Sequence, residues 1–151
     1  MRIKLYVFIL AFPIIMFSCA KLWGDNDLGS NLTLLEGDRK EDRVIVYCSS
    51  KSGVCESGIP VVPKYERQFN KDGRYAEFVD AAVANKDWII VRTIELRNNS
   101  KNYWLIDKKF SLPDDCININ CDSILQKHVI GPLDSSGFII KTESLNINLS
   151  F

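Results

Sequence analysis

The chain has 151 residues, 46% apolar and 25% charged, a composition that excludes wholesale disorder and supports one packed core. Its 19 basic and 19 acidic side chains cancel, so the overall charge gives no electrostatic reason to bind nucleic acid. Without residues 1–18 the balance is 17 basic against 19 acidic, so the remaining 133 residues carry a net charge of −2.

The chain opens with Arg2 and Lys4, followed by an apolar run from Leu5 to Phe17 and then Ser18-Cys19. A charged start, a greasy middle and a small residue at the cut form an export signal. The run is shorter than the ~20 residues a membrane-spanning helix needs, and Pro13 interrupts it. With cysteine at the cut, the segment resembles a bacterial lipoprotein signal. That resemblance implies that Cys19 becomes the lipidated first residue of the mature chain. The expected organisation is a signal peptide over 1–18, a lipidated flexible tether over 19–31 and a single β-rich domain over 32–151. The expected location is the bacterial cell envelope, on the outer membrane.

Four further cysteines, Cys48, Cys55, Cys116 and Cys121, are an even number in an exported chain and read as disulfides. Three connectivities are possible. The local pairs Cys48–Cys55 and Cys116–Cys121 are favoured because each encloses turn-rich sequence. The alternative is a thiol metal site with His128, but the six-residue gap after Cys48 fits poorly the two to four usual for zinc. No metal and no cofactor is expected.

Beyond the tether, Leu32–Glu36 and Arg43–Cys48 read as strands, the second rich in β-branched residues. Ile59–Pro63 carries two prolines and belongs at a sheet edge. Tyr75–Ala84 has alanines that favour helix, but alternates Val79, Ala81 and Val83. A strand turning through Asn85-Lys86-Asp87 extends the neighbouring sheet. Trp88–Leu96 and Asn102–Asp107 flank the polar cluster Arg97–Lys101, which predicts a hairpin. Leu112–Asp115 and Gly131–Asp134 read as breakers. Short helices are predicted near Asp122–His128 and Gly137–Ser144, and the alternating apolar residues from Leu145 to Phe151 predict a closing strand. The fold class is mainly β (α+β): one antiparallel β-sheet domain with one or two short C-terminal helices.

The candidate chemistry is sparse. His128 is the sole histidine, and no serine lies in a nucleophile-elbow context. The charged run Glu36–Arg43 offers carboxylates for a small hydrolase if Glu41 and Asp42 meet His128 in a pocket; otherwise it is a solvated turn. The other candidate is a binding surface made by Trp88, Arg92, Tyr103 and Trp104, with Tyr47, Tyr65 and Phe78 as further aromatics. Adjacent strand residues face opposite ways, so only one of Tyr103 and Trp104 can meet an outer face.

The pattern over Glu36–Arg39, Arg43–Tyr47, Gly58–Pro63, Trp88–Ile90, Tyr103–Lys108 and Gly131–Asp134, with Ser18-Cys19, resembles a family of small uncharacterised bacterial lipoproteins. The family implies a β-rich domain and transfers no catalytic residue. The expected role is a monomeric, non-enzymatic module that binds a protein or a glycan. An inhibitor or immunity-type protein is a variant of that role.

Overall fold

The computed structural model describes residues 26–48, 55, 58–63, 73–113, 116 and 119–151. The signal segment, Cys19, the loop 49–53 and Tyr65 lie outside the described residues.

The described residues form eight strands: β1 (Asn26–Gly29), β2 (Leu32–Leu35), β3 (Val44–Cys48), β4 (Gly58–Val62), β5 (Glu77–Ala84), β6 (Trp88–Glu95), β7 (Lys101–Asp107) and β8 (Val129–Leu133). Two helices follow late in the chain, α1 (Cys121–Lys127) and α2 (Ser135–Ser144). The fold is mainly β with two short C-terminal helices, as the pattern predicted. The strands divide into two four-stranded antiparallel sheets, β1-β2-β3-β4 and β5-β6-β7-β8, rather than one.

The division follows from which residues alternate. In β6, Ile89, Val91 and Thr93 point to one face and are fully buried against the first sheet. Ile90 points to the other face, where it packs with Leu105 and Ile147 beneath α2. β3 is buried along its whole length: Ile45 and Tyr47 join the inter-sheet core, while Val44, Val46 and Cys48 form a second cluster with Leu35 and Cys55. Each fully buried large aliphatic residue contributes about 1.5–3 kcal/mol.

Local chemistry sets the turns. The Asn85 side chain accepts from the backbone N–H groups of Asp87 (2.9 Å) and Trp88 (2.8 Å), closing β5 onto β6. This supports the strand reading of Tyr75–Ala84, whose strand is β5. The predicted hairpin is β6–β7, and its turn places Asn99 at φ 56°.

Three expectations are corrected. The tether does not run to residue 31: Asn26–Gly29 is a strand paired with β2, Leu28 is buried, and Gly29, Ser30 and Asn31 take the positive φ of a tight turn. Gly131-Pro132 is not a break but lies inside β8, which pairs with β7 at a sheet edge where a missing N–H is tolerated. Residues 145–151 form no strand. Asn146 at φ 52° ends the helical turn, and Ile147 and Leu149 then pack on the outer face of β6 and β7 through side chains alone.

The sheet edges are met by other groups. Arg43 O accepts from Val79 N–H at 3.1 Å, joining the first sheet to β5. Gln126 of α1 reaches Val61 O on β4, the edge position that its proline predicted. Lys108 Nζ donates to Leu28 O and to Asn85 O, each at 2.7 Å, fastening β1 to the β5–β6 turn.

Lys108→Met keeps the stem and removes both bonds. It is expected to lower stability by about 1.5–3 kcal/mol, read from the urea midpoint at unchanged slope. At Gly131, φ is 142° and an added Cβ would lie 2.7 Å from Trp104 Cε3 and 2.8 Å from Tyr103 O. Gly131→Ala is therefore expected to cost about 2–4 kcal/mol in the same measurement.

Candidate functional site

The outward face of the second sheet holds a cluster of polar and aromatic groups. A bulge in β5 between Val79 and Ala81 adds Asp80 to the strand and places it beside Arg92, the partner of Ala81. Arg92 donates to Asp80 Oδ2 through Nε (2.8 Å) and Nη2 (2.6 Å), and Lys40 Nζ reaches Oδ1 at 2.7 Å. Lys40 also lies 5.7 Å from the Phe78 ring centre, and the Arg92 guanidinium lies 5.1 Å from that of Phe151. Hydrogen bonding to Lys40, joined by Arg92, holds the Asp80 carboxyl below the usual carboxylate range, against the opposing pull of burial.

Beside this cluster, Tyr103 stacks on Phe138 of α2 with ring centres 4.9 Å apart, and Phe151 lies 6.1 Å from Tyr103. Asp134 starts α2 by accepting from Gly137 N–H at 2.7 Å, which sets Phe138 facing the sheet. The next two residues, Ile139 and Ile140, are then turned outward and are 52% and 67% exposed.

The expected binding surface of Trp88, Arg92, Tyr103 and Trp104 is not one surface. Tyr103 and Trp104 do face opposite ways, but Trp104 is buried in the inter-sheet core, where its Nε1–H donates to Thr93 Oγ1 at 2.9 Å. Thr93 in turn donates to the Glu77 carboxylate, which also accepts from Asn102 Nδ2 at 3.2 Å. Trp88 packs on the outer cluster around Ile90, and Tyr103 is half covered by Phe138. Of the four, Arg92 alone takes part in the cation–aromatic cluster. Asp80, Ile139, Ile140 and Phe151 were not singled out from the sequence. The run Phe138-Ile139-Ile140 held a signal for two of them, because a helix on a sheet cannot bury three consecutive apolar residues.

The hydrolase constellation is not assembled. Glu36 pairs with Arg43 (2.8 Å) and Asp42 with Arg39 (3.4 Å), around a 3-10 turn over Lys40–Asp42 that carries Glu41. That turn adjoins Val79, which is in register with Thr93, whereas His128 O bonds Asp107 N, in register with Trp88. Five strand positions separate Thr93 from Trp88, roughly 17 Å along the sheet. His128 caps α1, with its ring 5.7 Å from that of Phe110 and Nδ1 4.0 Å from Asp107 Oδ2.

Both local disulfides are present, Cys48–Cys55 and Cys116–Cys121. Among the described residues no group of three or more His, Cys, Asp or Glu side chains is placed to hold a metal ion. A shallow cleft of about 390 Å³ lies beside the second disulfide, lined by Ile59, Ile119, Asn120 and Asp122. Compared with protein-family models, curated proteins and solved structures, the chain finds no match.

Because the folded-state pKa of Asp80 is depressed, its contribution is full at neutral pH and is lost as pH falls through that lowered value. Asp80→Asn is expected to be less stable than the parent at pH 7. The gap should close below about pH 4, read from urea titrations across the acid range.

Proposed function

We propose that the chain is a bacterial envelope lipoprotein, anchored through lipid on Cys19, whose domain is a non-enzymatic module that binds a protein partner. The anchoring half rests on the charged start, apolar run and Ser18-Cys19 of the sequence. The two disulfides fit an oxidising compartment. Among the described residues, no helix is long and apolar enough to cross a membrane.

One observation carries the binding half. Of the four large apolar side chains exposed among the described residues, Ile139, Ile140 and Phe151 belong to the layer outside β6 and β7, and only Ile119 lies elsewhere. Single exposed apolar residues are ordinary, but several in one layer mark an interaction surface. Ion pairing within the Glu36–Arg43 segment, and its distance from His128, favour binding over hydrolysis.

Two measurements test the two halves. Cys19→Ser is expected to move the protein from the membrane pellet to the soluble fraction; unchanged partition after detergent-free lysis overturns the anchor. A photo-crosslinking residue at position 139 in intact cells is expected to give a discrete adduct that the same residue at 86, where Lys86 is 89% exposed, does not give. Equal labelling from both positions overturns the binding face.

A further inference from the structure

No further inference is drawn: the strongest candidate, the shallow cleft beside the Cys116–Cys121 disulfide with Asp122 in its wall, carries nothing, because the unpartnered Asp122 Oδ1 is closed to solvent and so does not open into the cleft, and nothing in the structure shows what fills it.

Discussion

Burial of β6 and β7 against the first sheet is the constraint on which the rest of this structure depends. Ile89, Val91, Trp104 and Ile106 from one sheet meet Leu32, Ile45, Val61 and Val62 from the other, with little or no solvent access. Once these faces are committed inward, period-2 alternation forces Trp88, Ile90, Arg92, Tyr103 and Leu105 outward. The outer face is thus a by-product of the inner one. Its apolar part needs a cover, which α2 and the C-terminal segment supply through Phe138, Leu145, Ile147 and Leu149.

Two polar features sit inside this apolar scheme, and each is satisfied. Trp104 brings an indole N–H into the core, where Thr93 accepts it and hands a proton donor on to Glu77. A buried donor without a partner costs about 1–3 kcal/mol, so this short relay is what lets a tryptophan fill the space between sheets. At the bulge in β5, Asp80 binds two cations while their stems and charges rest on Phe78 and Phe151. The same strand therefore faces the core with valine and alanine and faces outward with a charge cluster.

Elements governed by local chemistry were legible in the sequence. The β6–β7 hairpin, the Asn85 turn, the proline-bearing edge strand and both helices follow from spacing and side-chain type. So did the pairing of the cysteines, favoured by their turn-rich intervals. Elements fixed by tertiary contact were not. Nothing local in Asn26-Asp27-Leu28-Gly29 marks a strand; it becomes one because Leu28 finds the core and Lys108, eighty residues away, holds its carbonyl. Gly131-Pro132 reads as a break because both residues weaken strands, yet glycine is what permits the backbone to lie on the Trp104 ring. Alternation from Leu145 to Phe151 was real, but it served contact with a sheet face rather than pairing at its edge. Trp104 was grouped with outward-facing residues for a related reason: aromatic content locates a core as readily as a surface, and Trp104 belongs to the core.

Incorporation of β1 into the first sheet has a consequence for reach. The links from Cys19 to Asn26 span at most ~25 Å even at full extension. A lipid at Cys19 would then keep the domain close to the headgroups and narrow the range of heights and tilts it can sample. Were Cys19 lipidated, so short a lead would confine the module to a thin slab of space and favour encounters with neighbours fixed at the same level.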